Sequence, residues 1–520
     1  MKTLIKVAVL LLALLMIVPC LAACGGEAET TTPAGKDPTT PGGTTDPDGY
    51  VLPEKVDMNR YVYKVFTRSE GTGNGAFVCE DFYVDPAQGG ADALSYAVIQ
   101  RNNEIEKDYN CVIKQQPSVL ESQYEEMTSF FEGDTSFELA IIMSIDSAVC
   151  ATAGYLSDLK AGVNTKYLDL NHEAFDQNSI EELTLGNNLY YLSGDMNISS
   201  MDNTISTIFN LSLFEESKAG IAEKLGHENF SDLYQMVQDG TWTVENMLAI
   251  ANCVTVDAKS DDGDISHDKG DTIGYYEYQA SPLYYYYGAG LRITESEDGY
   301  PVFTITSDES REVYEYLFQN LNVNLNKNIP NGASGSRAKN FLSGKTLIAD
   351  FLLWDVRKQI YPAAIDFAYG ILPIPTYEEG ADYHCVVYFQ NCHHLWTIPY
   401  KRASVENSAR MMYIMAAYSG KPDSTMDAYY VRTMYMEVAR DDGSRASLDI
   451  IRGSLVYDIA LLYTQNGLWG NFDKLLINID TRANMEYDSY TSESAMEKAN
   501  MEMQDTLATF AEKSEGNGEQ

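Results

Sequence analysis

Two groups of side chains in this sequence have the types that bind metal ions. An acidic stretch runs from Asp261-Asp262-Gly263-Asp264 through Asp268 to Asp271, and clustered carboxylate oxygens suit Ca²⁺. Its spacing departs from the EF-hand pattern, so a solvated loop is the preferred interpretation and Ca²⁺ the alternative. His384-Cys385 and Cys392-His393-His394 lack the close spacing of a strong zinc site. For this second group we predict a Cys385–Cys392 disulfide or simple packing, and for the protein no cofactor.

The sequence offers no motif of a catalytic machinery. It contains no G-x-S-x-G nucleophile elbow, no P-loop and no H-E-x-x-H zinc motif. A pair of acids for glycoside hydrolysis stays possible, because the 76 Asp and Glu residues offer many chance pairs, but nothing singles out one pair. We therefore predict a protein that is not an enzyme and has no catalytic residues.

Composition and charge limit the classes of molecule that this protein can bind. The 520 residues carry a formal net charge of −40, with 36 Lys and Arg against 76 Asp and Glu. A surface this acidic repels phosphate backbones and anionic headgroups, which excludes nucleic acid and membrane binding through a basic patch. The length suits several domain-sized units, each large enough to bury a core. Eight Cys residues are too few for a disulfide-built scaffold.

The N-terminus has the pattern of an export signal. Two lysines precede an uncharged run, Val7–Val18, which is followed by Leu21-Ala22-Ala23-Cys24. This tetrapeptide resembles the lipobox that bacterial lipoprotein signal peptidase cleaves, and the resemblance implies diacylation of the Cys24 thiol. The alternative is an uncleaved anchor over Leu4–Ala23, since about 20 apolar residues span a bilayer. Both interpretations place residues 25 onward outside the cell, at the extracytoplasmic face of the cell membrane.

A Thr-, Pro- and Gly-rich segment follows, from Gly25 to about Gly49. It has too few apolar residues to bury a core, so we predict a disordered tether. A lipid, a tether and a large body together predict a protein that works just outside the membrane.

From Tyr61 onward, short apolar runs alternate with amphipathic stretches. The predicted strands include Val62–Phe66, Cys111–Ile113, Leu139–Met143, Leu189–Leu192 and Ile205–Phe209. Thr243, Ser307 and Ser404 each precede a helical pattern and are predicted to cap it. This alternation predicts an α/β fold with mainly parallel sheets.

Seven segments, in order along the chain, resemble those of bacterial extracellular solute-binding proteins (family 1) of ABC importers, the group that includes maltose-binding protein. They are Arg101–Tyr109 (RNNEIEKDY), Gly154–Leu159 (GYLSDL), Gly186–Tyr190 (GNNLY), Ile208–Asn210 with Leu213-Phe214, Gly240–Thr243 (GTWT), Phe341–Lys345 (FLSGK) and Gly370–Pro373 (GILP).

The resemblance implies a two-lobe, type II periplasmic-binding-protein-like fold, with hinge closure on a ligand held between the lobes. The expected division is a signal peptide at 1–23, a tether at 24–55, lobe 1 at 56–202 plus 386–425, lobe 2 at 203–385 plus 426–512, and a flexible tail at 513–520. The protein is expected to be a monomer. Its expected partners are a small solute, with a carbohydrate or oligosaccharide as the favoured class, and the subunits of an ABC permease. The alternatives are an exported carbohydrate-active hydrolase and a ligand sensor for a membrane kinase.

The resemblance also indicates candidate ligand-binding residues. Trp354 lies thirteen residues after Phe341, where maltose-type proteins place a tryptophan that stacks on a sugar ring; a core tryptophan is the alternative. Asp146 follows the Leu139–Met143 strand, at a position where ligands bind in open sheets; a loop-capping Asp is its alternative. Asn203 stands seven residues before Asn210, where maltose-type proteins have an acid. Glu70 follows the first strand, and Asp355 is a further carboxylate whose alternative is an outward-facing charge.

Two aromatic features are predicted to be structural. Trp242 is expected to anchor the start of a helix, as its equivalent does in the family. The run Tyr284-Tyr285-Tyr286-Tyr287 is expected to pack in the core. If this run is a strand, at most half of its rings can line a site.

Overall fold

The computed structural model describes the following residues: 43–45, 49–68, 79–82, 92–120, 122–226, 232–258, 265, 270–278, 280–322, 330–332, 334–388, 393–465, 467, 469–477 and 486–516. All of them belong to one compact unit, residues 41–520. Within the described residues, no helix is both long and apolar enough to cross a bilayer.

The first sheet has four strands, in the spatial order His394–Thr397, Leu139–Met143, Tyr61–Arg68 and Cys111–Ser118. Tyr61–Arg68 is parallel to both of its neighbours, whereas His394–Thr397 runs antiparallel to Leu139–Met143. Every residue of Leu139–Met143 is buried, as its continuous apolar pattern predicts for a strand covered on both faces.

The second sheet has five strands, in the order Asn331–Gly332, Ile273–Tyr278, Thr346–Leu352, Ile205–Asn210 and Tyr369–Leu372. Ile205–Asn210 runs antiparallel to both of its neighbours, and the other pairs are parallel. Asp350 of the central strand is fully buried. It accepts hydrogen bonds from Ser281 Oγ at 2.7 Å, Tyr285 Oη at 2.7 Å and Thr207 Oγ1 at 2.9 Å, which satisfies a polar group that burial would otherwise penalise.

The chain passes between the sheets at two short segments that lie side by side. Thr204 leads into the second sheet and forms an antiparallel bridge with Val387, on the segment that returns to the first sheet. On one side of this pair, Leu353 N–H donates to Thr204 O at 3.0 Å. On the other side, Val387 N–H donates to Val456 O at 2.9 Å. These four segments form the crossover ribbon, in the order 353, 203–204, 385–388 and 455–456.

Shorter pairings and helices complete the body. Antiparallel pairs join Gly43–Thr45 to Val51–Pro53 and Thr294–Glu297 to Tyr300–Phe303, and Cys385–Val386 pairs in parallel with Leu455–Val456. The α-helices are Ala93–Tyr109, Gln123–Glu132, Ser144–Thr152, Gly162–Thr165, Gln177–Glu182, Ile198–Asp202, Leu211–Leu225, Leu233–Asp239, Val244–Val254, Ser281–Gly288, Asp308–Leu321, Ser334–Leu342, Leu353–Asp355, Val405–Gly420, Thr425–Asp427, Asp442–Gly453, Ile459–Gln465, Phe472–Ile477, Tyr487–Tyr490 and Glu493–Gly516, with π-helical segments at Val356–Ile360 and Ala428–Val438.

The three predicted helix caps are confirmed. Thr243, Ser307 and Ser404 have extended backbones, and each side chain accepts a hydrogen bond from a backbone N–H three residues on. Trp242 is fully buried, and its Nε1–H donates to Pro373 O at 2.9 Å. The structural role predicted for Trp242 is therefore confirmed.

Two stretches differ from the expected secondary structure. Leu189–Leu192 is buried but forms no strand; Leu192 makes a single bridge with Trp396, and Leu189 N–H donates to the Asp158 carboxylate at 2.9 Å. The four tyrosines Tyr284–Tyr287 lie in the helix Ser281–Gly288, in which Pro282 occupies the first turn, and all four are buried. Packing is confirmed for this run, but the strand conformation considered for it is wrong.

The two predicted metal-type groups have different outcomes. Cys385 is a buried free thiol, which supports packing over the disulfide; Cys392 lies outside the described residues. Asp261–Asp264 and Asp268 also lie outside them, whereas Asp271 is buried and accepts a hydrogen bond from Ala258 N–H at 2.9 Å. Where the chain is described, no group of three or more His, Cys, Asp and Glu side chains is arranged to hold a metal ion.

Candidate functional site

The second sheet brings a group of candidate residues to the crossover ribbon. Leu352, the last residue of the strand Thr346–Leu352, pairs with Ile205, the first residue of Ile205–Asn210. The chain then turns at once into residues 353–360, which the Leu353–Thr204 hydrogen bond ties to the ribbon. Loops that follow the carboxyl ends of strands are where open α/β sheets bind ligands.

Trp354 lies in this turn between two buried neighbours. Leu353 and Asp355 are 0% and 2% exposed, whereas Trp354 is only partly buried against the core. The other three tryptophans, Trp242, Trp396 and Trp469, are completely buried. Trp354 is therefore the tryptophan with an accessible face, and it stands at the crossover. Its stacking on a ligand stays a prediction.

Arg357 holds the turn to the helix Ile198–Asp202. Its Nη2 contacts Asp202 Oδ2, and its Nε lies 3.2 Å from Asp202 Oδ1. Both side chains are 7% exposed, and Tyr429 Oη donates to Asp202 Oδ1 at 2.9 Å. Burial disfavours the charged guanidinium, but the Asp202 and Glu80 carboxylates outweigh burial and raise the pKa of Arg357. Arg357 and Asp202 thus form a buried ion pair.

Glu80 extends the network to the part of the chain that follows the first strand, Tyr61–Arg68. Its two carboxylate oxygens lie 3.1 Å from Arg357 Nη2 and 2.8 Å from Lys358 Nζ. Burial raises the pKa of Glu80, but the two cations more than compensate, so the net shift is downward. These contacts join the loop of the first sheet to the turn that carries Trp354.

Asp355 is anchored to a neighbouring helix. Its Oδ2 lies 2.8 Å from Arg337 Nη2, and its Oδ1 accepts from Gln359 Nε2 at 2.6 Å. The Arg337 guanidinium lies 4.0 Å from the centre of the Tyr278 ring and 4.6 Å from that of Phe351, a cation–π arrangement on two rings. The outward-facing alternative for Asp355 is wrong, because the carboxylate is buried in an ion pair.

The remaining candidates are distributed around the crossover. Asn203 is buried in the ribbon, where its Nδ2 donates to Ser199 O at 2.8 Å and its carbonyl accepts from Tyr388 N–H at 3.2 Å. Asp146 accepts a hydrogen bond from Gln123 N–H at 2.7 Å, as expected for the capping role that is the alternative to ligand binding. Burial raises the pKa of Asp146. Glu70 lies outside the described residues. The structure thus brings Trp354, Asp355 and Asn203 together, whereas no contact of the described residues joins Asp146 to them.

The sequence reasoning did not single out five charged residues of this network, namely Glu80, Asp202, Arg337, Arg357 and Lys358. Two signals were available, since Asp202 adjoins Asn203, and Arg357-Lys358 follow Trp354-Asp355 within a single turn. Glu80 and Arg337 join the site only through tertiary contacts, and no local pattern marks them.

Comparisons with known proteins establish the fold. No family model and no curated protein matches the sequence. Among solved structures, a cyclo/maltodextrin-binding protein complexed with maltotetraose aligns with a TM-score of 0.51 and 13% identity, over 87% of this chain and 99% of that one. The extracellular solute-binding protein of Staphylococcus aureus in complex with maltose aligns with a TM-score of 0.51 and 10% identity, over 88% of this chain and 100% of that one. The chain has the two-lobe fold of these proteins, and the predicted fold is confirmed.

The buried ion pair predicts an asymmetric effect of substitutions. Asp202→Asn leaves the buried Arg357 guanidinium with only the Glu80 carboxylate, so we expect it to lower the free energy of unfolding by about 3 kcal/mol. Asp423→Asn is the matched control, because Asp423 and Arg432 form a pair with side chains 91% and 44% exposed, and the expected change there is below about 0.5 kcal/mol. Urea unfolding of the two variants measures both values. Equal effects would contradict the assigned role of the Asp202–Arg357 pair.

Proposed function

We propose that the protein is a lipid-anchored, extracytoplasmic solute receptor that captures a carbohydrate and delivers it to an ABC permease. The observation that carries this proposal is the partly exposed Trp354 at the crossover of a solute-binding-protein fold. In this account the protein is not an enzyme, acts as a monomer, needs no cofactor, and reaches its permease from the outer face of the membrane.

The chemistry of the site suits a sugar. One face of a pyranose presents C–H groups, which pack against an aromatic ring such as that of Trp354. Its hydroxyls both donate and accept hydrogen bonds, and the surrounding polar residues offer charged partners of both signs: Glu80, Arg357 and Lys358. The two similar solved proteins are complexed with maltotetraose and with maltose, which makes malto-oligosaccharides the first ligands to test.

The delivery part of the proposal rests on the N-terminal sequence. A lipid on Cys24 and the Thr- and Pro-rich tether keep the receptor beside the membrane, where a permease can take its cargo. Such a receptor must bind reversibly, since every delivered solute has to leave the site.

Trp354→Ala should weaken the binding of maltotetraose at least tenfold, or about 1.4 kcal/mol, because it removes the flat apolar surface for the ring. Isothermal titration calorimetry measures the affinity, and circular dichroism checks folding. Tyr400→Ala is the matched control, because Tyr400 is an exposed aromatic residue of the first-sheet side, and it should leave the affinity unchanged. Unchanged affinity in Trp354→Ala would show that this residue does not contact the ligand. Release of new reducing ends during the titration would show that the protein is a hydrolase and not a receptor.

Cys24→Ala should abolish incorporation of a palmitate analogue and release the protein from the membrane fraction, because the acceptor thiol is lost. Cys20→Ala, four residues upstream of Cys24 and outside the Leu21–Cys24 tetrapeptide, is the control and should be labelled normally. Metabolic labelling followed by fractionation measures both properties. Equal labelling of the two variants, or none in the unsubstituted protein, would contradict lipid anchoring and leave the uncleaved anchor as the explanation.

A further inference from the structure

A cavity lies at the edge of the crossover ribbon opposite to Trp354. It has a volume of about 510 Å³ and is lined by some of the residues between 178 and 184 and between 292 and 301, by residues 453–459, and by Tyr383 and His384. The ribbon order places Leu353 at one edge and Val456 at the other, so this cavity and Trp354 are on opposite edges. Its size falls within the range of small-molecule sites.

The walls come from parts of the chain on either side of the first crossover. Residues 178–184 precede Thr204, whereas residues 292–301 lie between the two crossover segments. The walls touch where Arg292 Nε and Nη2 each lie 3.4 Å from Glu182 Oε1, and where Gly186 N–H donates to Gly299 O at 3.0 Å. A distance of 3.4 Å is at the long end of hydrogen bonding. Arg292, whose guanidinium has five N–H donors, therefore retains donor capacity for another partner.

The polar groups of the lining include both donors and acceptors. Arg292 donates, the exposed side chains of Glu181 and Glu295 accept, and the Ser296 hydroxyl can do both. Burial and the nearby Arg292 lower the pKa of His384, so its imidazole is neutral at pH 7 and also offers one donor and one acceptor. A ligand that fits this mixture must itself donate and accept at several positions.

Charged ligands fit less well. The acidic side chains of Glu181, Glu295 and Asp458 in the lining disfavour an anion. Asp458 offers little to a cation, because it already accepts from Tyr287 Oη at 2.8 Å, Ile293 N–H at 2.7 Å, Thr294 N–H at 3.2 Å, Thr294 Oγ1 at 2.6 Å and Ala460 N–H at 2.9 Å. Glu182 already faces Arg292, and Tyr457 N–H donates to its Oε2 at 2.6 Å.

We propose that this cavity is a second binding site, for a neutral polyhydroxylated ligand of one or two sugar rings, distinct from the site at Trp354. Each sugar hydroxyl donates one hydrogen bond and accepts others, which matches the mixture of Arg292, Ser296, His384 and the glutamates. The half-buried ring of Tyr383 supplies an apolar surface beside them. Since both walls contribute, ligand in this cavity bridges the two parts of the chain that the crossovers join.

The test uses the full chain with Trp354→Ala as background, so that binding at the first site is weakened and the two cavity substitutions report on the second. Saturation-transfer NMR with glucose, maltose, sucrose and lactose at millimolar concentration should show saturable binding of at least one sugar. Adding Arg292→Gln or His384→Ala should weaken that binding at least tenfold. His384→Ala serves as the second variant in case Arg292→Gln destabilises the protein. The His384 side chain is half-buried, and its removal leaves the Arg292–Glu182 contact in place.

Arg432→Gln is the matched control, since Arg432 is an exposed arginine in an ion pair outside the cavity lining; it should leave the signal unchanged. No saturable binding of any of the four sugars to Trp354→Ala, or binding that neither cavity substitution weakens, would overturn the second site. The loss of affinity between the unsubstituted protein and Trp354→Ala tests the first site separately. The two proposals can therefore fail independently.

Discussion

The structure depends on a few backbone hydrogen bonds at the crossover ribbon. Leu353 bonds to Thr204, Thr204 pairs with Val387, and Val387 bonds to Val456. Backbone pairing of this kind fixes relative positions without requiring particular side chains, so the ribbon acts as a common frame for both sheets. Trp354 and the nearby ion pair of Arg357 with Asp202 lie at one edge of the ribbon, and the cavity beside Val456 lies at the other.

In this strongly acidic protein, the few buried cations have a different role from the exposed ones. With 36 Lys and Arg against 76 Asp and Glu, arginines have carboxylate partners available everywhere, yet exposed pairs contribute little to stability. Arg337 and Arg357 differ, because they are buried and each contacts a buried Asp. Such pairs orient their partners more than they stabilise the fold, since desolvation offsets much of the attraction. Here they orient the turn of residues 353–360, and with it the Trp354 ring.

Local patterns predicted the elements that local forces determine. The buried strand Leu139–Met143 and the helix caps at Thr243, Ser307 and Ser404 follow from apolar runs and from backbone donors that need a partner. Tyr284–Tyr287 were harder to assign, because a run that is buried on all sides has no periodicity to separate a strand from a helix.

The candidate site could be predicted only in part, for a similar reason. Trp354 was reached through its spacing from Phe341 in a resembling segment. The charges around it come from distant parts of the chain, with Asp202 separated from Arg357 by 155 positions and Glu80 by 277. No pattern within a single segment can reveal contacts of that range. The cavity near Arg292 could not be predicted for the same reason, since its walls come from separate parts of the chain.

The central claim is that a solute is held between two lobes that close on it. Small-angle X-ray scattering of the mature protein, with and without saturating maltotetraose, tests this claim most directly. The account predicts a smaller radius of gyration with ligand, because hinge closure on a bound solute would bring the two lobes closer together. Superimposable scattering profiles at a ligand concentration that calorimetry shows to be saturating would contradict it.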